Sequence, residues 1–182
     1  MKKVLSLLLI VLCFIGCENI KNTPTNRVEE FFQKYQNMDT IVLKELEYVI
    51  QKDDTLNKKQ KEKYQELLER QYQNLSYKIT NEEIHDSIAT VDVRIEVFDY
   101  KNTIEKAKDY YINHLEDFQK KREENVEEID FEEAFIDYKL QEMKKTEEKI
   151  QYDMTFSLVK DEGMWNLEDL SEVDRQKIHG LF

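Results

Sequence analysis

Residues 150–167, IQYDMTFSLVKDEGMWNL, indicate the fold more clearly than any other part of the chain. Apolar and polar side chains alternate from residue 150 to residue 158, which is typical of a strand with one buried face. Gly163 can adopt the positive φ angle that a tight hairpin turn needs. The alternation resumes at Trp165 and Leu167. This segment therefore predicts two antiparallel strands that bury a common face and pack Trp165 into the core.

A second hairpin is predicted upstream. The odd-numbered positions of residues 89–97 are apolar, which again predicts a strand with one buried face. The even-numbered positions are polar: Thr90, Asp92, Arg94 and Glu96. Tyr77 and Ile79 alternate with polar residues in the same way, and residues 85–87 provide a turn between the two strands. Tyr77 and Ile79 are therefore expected to point towards the core.

Helical periodicity surrounds the two hairpins. Apolar residues recur at helical spacing in three segments before residue 76, and Asn26 and Asp39 are the expected caps of the first two helices. Two more apolar stripes lie within residues 103–146, where a polar run at 120–128 is expected to join them. The first consists of Ile104, Ala107, Tyr111, Leu115 and Phe118, and the second of Phe131, Phe135, Ile136, Tyr138, Leu140 and Met143. Ser171 is a candidate cap for a short final helix.

This order of elements predicts an α+β fold, in which helices pack on one face of a small curved antiparallel sheet. Residues 103–146 are then a long helical insertion between the two hairpins.

Both ends of this domain carry a family resemblance. TPTNRVEEFFQKYQNMD at 23–39 and YDMTFSLVKDEGMWNLED at 152–169 resemble the ends of secreted nuclear-transport-factor-2-like domains, many of them bacterial lipoproteins of unknown function. The resemblance implies a cystatin-like, cone-like α+β roll, which often encloses a cone-shaped cavity. The insertion at 103–146 departs from the compact roll. Because such domains include enzymes, ligand binders and interaction modules, the fold does not select a function.

The start of the chain has the form of a secretory signal. Two lysines precede an apolar run at 4–15, whereas a membrane-spanning helix needs about 20 apolar residues. Residues 14–17, Phe-Ile-Gly-Cys, resemble the lipobox of bacterial lipoproteins. The resemblance implies cleavage after Gly16 and a lipid on Cys17. The alternative is an ordinary cleaved signal peptide without lipid.

The predicted organisation follows from these features. Residues 1–16 form a lipoprotein signal peptide, 17–25 a lipidated tether, and 26–182 a single α+β domain. The mature protein is then held by its lipid on the outer face of the cell membrane, because two or more acyl chains give stable anchoring.

Composition excludes several functions. The chain has 39 acidic and 27 basic residues, so its surface repels nucleic acid phosphates and anionic polymers. Three glycines are too few for a Gly-rich phosphate loop, and the three histidines lack metal-ligand spacing. Cleavage removes Cys13 and the lipid occupies Cys17, so the mature chain has no free thiol. We therefore expect no cofactor, no metal and no nucleic acid partner.

The predicted buried faces contain no Asp, Glu or His, which argues against an enzyme and for a non-catalytic binding or interaction domain. Tyr77, Tyr152 and Phe156 are the candidate wall of a pocket for a small apolar ligand. Alternatively, these rings fill the core, and a protein partner binds exposed residues such as Arg94 and Glu96. An enzyme with a polar cone-shaped cavity is the remaining alternative.

Overall fold

The computed structural model describes residues 22–118 and 131–182. They form an α+β fold with helices packed against a curved, open, antiparallel four-stranded sheet, which confirms the predicted fold class. The described helices and strands follow in the order α1 (Pro24–Gln36), α2 (Thr40–Gln51), α3 (Lys58–Asn74), β1 (Ser76–His85), β2 (Ile88–Phe98), α4 (Tyr100–Asn113), α5 (Phe131–Lys145), β3 (Lys149–Asp161), β4 (Met164–Leu167) and α6 (Glu172–His179). A further helical turn covers 115–118. The predicted signal peptide, Cys17 and the polar run at 120–128 lie outside the described residues.

The sheet has the order β1-β2-β3-β4, so the two predicted hairpins lie side by side. In the second hairpin, Asp161 pairs with Met164 around a two-residue turn. Glu162 and Gly163 in this turn have φ angles of 47° and 83°. Positive φ at both central residues is the geometry that matches the twist of two adjoining strands. The hairpin turn predicted at Gly163 is therefore confirmed.

Strand β2 buries one face as predicted. Its odd-numbered residues from 89 to 97 are all buried, and its even-numbered residues up to 96 are not. The face that carries Asp92, Arg94 and Glu96 is named the outer face here. The opposite side, which carries Trp165 on β4, is the inner face.

The predicted direction of Tyr77 and Ile79 is wrong. The Asn81 amide lies 3.4 Å from the Asp92 carboxylate, so Asn81 is on the outer face. Strand alternation then places Tyr77 and Ile79 on this outer face as well. None of the ten residues of this edge strand is fully buried, although Tyr77 and Ile79 are half-buried and their neighbours are exposed.

The chain divides into two compact units. Within the described residues, unit 1 comprises the chain up to Gln33 with Lys78–Arg94 and Asp153–Leu170. Its core includes three aromatic rings, those of Phe31, Phe32 and Phe156, which meet edge to face at centroid distances of 5.3–5.4 Å. Buried aliphatic residues from β2 and β3 and Trp165 from β4 complete this core.

Unit 2 comprises Lys34–Tyr77, Ile95–Tyr152 and Ser171–Phe182. An apolar cluster of unit 2 joins the end of β2 to α3, the loop before α3, α4 and α5: Leu56, Leu67, Phe98, Tyr100, Ile136, Leu140 and Met143. The predicted apolar stripe of Ile136, Leu140 and Met143 is therefore confirmed. Leu115 and Phe131, one from each predicted apolar stripe, are 39% and 41% exposed.

Helix ends follow local capping chemistry. Helix α1 begins at Pro24, because the Thr23 hydroxyl accepts a hydrogen bond from the backbone N–H of Asn26 at 3.2 Å. Thr23 therefore takes the capping role expected of Asn26, and proline suits the first helical position. Asp39 and Ser171 cap α2 and α6 as predicted.

Asn22, which precedes Thr23 and helix α1, is hydrogen-bonded to the second hairpin of unit 1. The side chain of Asn22 donates to the Gly163 carbonyl at 2.7 Å, and its amide oxygen accepts from the Trp165 N–H at 3.2 Å. Of the predicted tether, Asn22 is thus bonded to the hairpin that contains β4, and residues 24–25 belong to helix α1.

Candidate functional site

The candidate site is a cleft of about 530 Å³ within unit 2, between α3 and α5. This volume lies in the range of small-molecule sites. The residues that line it from α3 are Lys63, Glu66, Leu67 and Arg70. Those from α5 are Ala134, Asp137, Tyr138, Leu140, Gln141 and Lys144, and Phe118 also contributes. The spacing of three and four residues places each set on one face of its helix.

Amphipathic helices explain why the cleft has an apolar floor and a charged rim. Leu67 and Leu140 belong to the apolar cluster of unit 2 and are 4% and 2% exposed. The next positions on the same faces are Glu66, Gln141 and Lys144, which are exposed. The cleft therefore combines buried aliphatic groups below with polar groups at its mouth.

Two polar contacts hold α3 and α5 together across the cleft. The Lys63 ammonium lies 2.6 Å from the Asp137 carboxylate. Two turns further along α3, the Arg70 guanidinium donates to the carbonyls of Lys144 and Thr146 at 3.0 and 2.9 Å and to the Glu147 carboxylate at 2.8 Å. We call these two contacts the Lys63 clamp and the Arg70 clamp. Because both are made within the chain, the cleft is formed before any ligand binds.

Aromatic rings form one side of the cleft. The rings of Phe118 and Tyr138 meet edge to face at a centroid distance of 5.2 Å. The ring of Tyr110 packs on Tyr138 at 5.6 Å and on Phe118 at 6.4 Å, and His114 in turn stacks on Tyr110 at 4.0 Å. Of these rings, those of Phe118 and Tyr138 line the cleft and add apolar surface beside its aliphatic floor.

The residues predicted for the pocket wall are not among those that line this cleft. Phe156 is 1% exposed and packs on Phe31 and Phe32, as in a filled core. Tyr152 is half-buried in unit 2, where its hydroxyl donates to the Phe182 carbonyl at 2.8 Å. Burial raises the pKa of this hydroxyl, so it stays protonated and donates this hydrogen bond at neutral pH. Tyr77 is half-buried on the outer face of β1.

Arg94 and Glu96, the predicted partner-binding residues, have partners within the sheet. The Arg94 guanidinium donates to both carboxylate oxygens of Asp153, at 2.8 and 3.2 Å. This carboxylate raises the pKa of Arg94. In unit 2, Glu96 accepts from the Gln151 amide at 3.1 Å and lies 3.6 Å from the Lys149 ammonium.

A buried His–Tyr pair lies elsewhere in unit 2. His179 Nε2 and the Tyr72 hydroxyl are 2.9 Å apart. Burial, helped by the charge of Arg175, lowers the pKa of His179 to about 4, and burial raises the pKa of Tyr72. Both groups are therefore neutral at neutral pH. Burial likewise raises the pKa of Tyr64 and of Tyr100 to about 12, as expected of hydroxyls in a packed core.

Residues 22–118 and 131–182 hold no cluster of three His, Cys, Asp or Glu side chains suited to a metal ion. Within the same ranges, the helices are too short or too polar to cross a lipid bilayer.

Comparison with known proteins leaves the family open. No protein-family model and no curated protein matches the chain. A solved structure from Bacillus subtilis subsp. subtilis str. 168, described as a "putative lipoprotein" (YcdA), aligns with 68% of this chain at 16% sequence identity and a TM-score of 0.38. The alignment covers 38% of that protein. A TM-score this low does not establish a shared fold.

Proposed function

We propose that the mature protein is a lipid-anchored, non-catalytic binding domain on the outer face of the cell membrane. Its cleft between α3 and α5 takes a small ligand with an apolar body and one polar end. The cleft's apolar floor and exposed rim carry this proposal, because ligand sites are concave, mostly apolar and equipped with a few polar groups.

The chemistry of the rim supports binding without catalysis. The charged groups of Lys63, Asp137 and Arg70 hold the two helices together, as described above. Gln141 and Lys144 are exposed on α5 and provide an amide and an ammonium group for the polar end of a ligand. An anionic or hydrogen-bond-accepting end group suits these donors best.

The anchor is supported by the sequence around Cys17. The short apolar run, the lipobox-like residues 14–17 and the polar segment that follows are the parts that lipidation requires. The lipid would hold the binding domain close to apolar molecules that leave or enter the bilayer.

The first prediction concerns the anchor. In cells, the wild-type protein should partition into the detergent phase of a Triton X-114 extract, and Cys17→Ala should move it to the aqueous phase or leave the signal uncleaved. The Cys13→Ala variant is the control, because it changes a cysteine that leaves with the signal. Cys17→Ala protein that is cleaved and still enters the detergent phase would rule out lipidation at this residue.

The second prediction concerns the cleft. The probe is 8-anilinonaphthalene-1-sulfonate, which has an apolar body and one anionic group and fluoresces in apolar sites. It should bind the wild type saturably. Gln141→Trp should weaken this binding about tenfold or more, which corresponds to about 1.4 kcal/mol, because the indole occupies the mouth of the cleft.

Gln73→Trp is the matched control for the cleft. Gln73 is exposed on α3 and is not among the residues that line the cleft. This variant should bind the probe as the wild type does, with an unchanged circular dichroism spectrum in all three proteins. Equal binding by both tryptophan variants would place the probe elsewhere and contradict the proposed site.

A further inference from the structure

The turn end of the outer face in unit 1 exposes a patch of three apolar side chains. Ile88 on β2 is 57% exposed, Val159 on β3 is 38% exposed and Met164 on β4 is 46% exposed. The Lys160 N–H donates to the Ser87 carbonyl at 2.8 Å, so the adjoining residues Ile88 and Val159 lie opposite each other. We call these three residues the turn-end patch.

Met164 joins the same patch by strand register. Asp161 pairs with Met164 and Val159 pairs with Asn166. Met164 is therefore the diagonal neighbour of Val159 on the outer face, close enough for side-chain contact. Apart from the half-buried Ile79, the rest of the outer face of unit 1 is polar, with Arg94 paired to Asp153 and Thr155 donating to Asp92 at 2.7 Å. Apolar exposure on this face is thus concentrated at one end.

The chain itself connects this end to the membrane. Asn22 bonds to Gly163 and Trp165, the residues on either side of Met164. Five peptide links separate Asn22 from Cys17. Fully extended, they reach about 18 Å at most. A lipid on Cys17 therefore keeps the turn end close to the lipid headgroups.

We propose that the turn-end patch contacts the surface of the bilayer that holds the lipid of Cys17. This inference rests on the lipid anchor of the proposed function. We choose the bilayer as the binding partner because the short tether keeps its surface near this end of the sheet, at a high effective concentration. Attraction comes from apolar contact, since Asp161 and Glu162 in the adjoining turn disfavour anionic headgroups.

Trp165 provides an intrinsic reporter for the test. It is the single tryptophan of the chain and neighbours Met164. The mature chain, residues 17–182, contains Cys17 as its sole cysteine. It can therefore be coupled through this thiol to a maleimide phospholipid in phosphatidylcholine vesicles whose acyl chains carry bromine. Bromine quenches indole fluorescence at short range.

We expect the coupled wild type to lose Trp165 fluorescence on brominated vesicles relative to unbrominated ones. The same chain blocked with N-ethylmaleimide should lose none. The double variant Val159→Glu/Met164→Glu should lose the quenching although it is coupled. These positions are exposed, and circular dichroism should show that this variant is folded.

The matched control is Ile41→Glu/Val49→Glu on α2, which places the same charges at positions that are 61% and 62% exposed. It should be quenched like the wild type. An unquenched wild type, or equal quenching of both double variants, would overturn the contact. Chemical coupling supplies the lipid directly, so this result does not depend on whether cells lipidate Cys17. Lipidation in cells is tested separately by the detergent partitioning of Cys17→Ala.

Discussion

Replacement of Trp165 by Ala should destabilise unit 1 by about 3–5 kcal/mol, the usual cost of removing a buried tryptophan side chain. Trp165 is 5% exposed on the inner face of β4. The Lys160 ammonium also lies over its ring, 5.4 Å from the centroid. Since a whole domain is stabilised by only about 5–15 kcal/mol, this change should remove much of the cooperative folding.

Urea denaturation followed by circular dichroism measures the effect, because the variant lacks the fluorescent residue. Asn166→Ala is the control. It changes the next residue of the same strand, which is exposed on the outer face, and should alter the free energy of unfolding by less than about 0.5 kcal/mol. A Trp165→Ala midpoint equal to that of the control would contradict the packing of the hairpin described above.

Gly180→Ala should cost about 3 kcal/mol or more, for two physical reasons. Gly180 ends α6 with a φ angle of 71°, a conformation that costs other residues about 1–2 kcal/mol. A Cβ atom there would also lie 2.1 Å from the Phe98 carbonyl oxygen and 2.4 Å from Nε2 of Gln71. Neither distance is tolerable, so one partner must move.

The groups that must move form a buried polar contact. The Gln71 amide accepts from the Phe98 N–H at 2.9 Å and donates to the Phe98 carbonyl at 3.2 Å. Gln71 is fully buried. Displacing it leaves buried polar groups unsatisfied, at about 1–3 kcal/mol for each.

Gly163→Ala separates the two contributions to this effect. Gly163 has a φ angle of 83° but no atom within 4 Å of an added Cβ. Its variant should therefore lose only about 1–2 kcal/mol, from the backbone conformation alone. Urea denaturation of both variants gives the difference. Equal destabilisation of Gly180→Ala and Gly163→Ala would contradict the predicted clash with Phe98 and Gln71.

The sequence predicted the elements whose local pattern and burial agree. Alternation identified β2 and the hairpin around Gly163 and Trp165, because each of these strands packs one face on the core. Capping by Asp39 and Ser171 was equally predictable, since it depends on neighbouring residues alone. The resemblance to the nuclear-transport-factor-2-like roll stays a prediction.

The candidate site was less predictable for a physical reason. The cleft depends on how α3 lies beside α5, and its clamps join residues more than seventy positions apart, such as Lys63 and Asp137. A helical stripe shows which face is apolar, but it does not show which helix covers that face. The error at Tyr77 has a different cause, because alternation shows which residues share a face but not whether that face is the inner or the outer one.

The attachment of Asn22 has a consequence for the exposed edge of the sheet. β4 is an edge strand, and such strands offer unpaired N–H and C=O groups to other chains. The Asn22 side chain occupies two of these groups, the Gly163 carbonyl and the Trp165 N–H. A single amide thereby satisfies two outward-facing groups at this edge, which leaves fewer of them for strand addition by another chain.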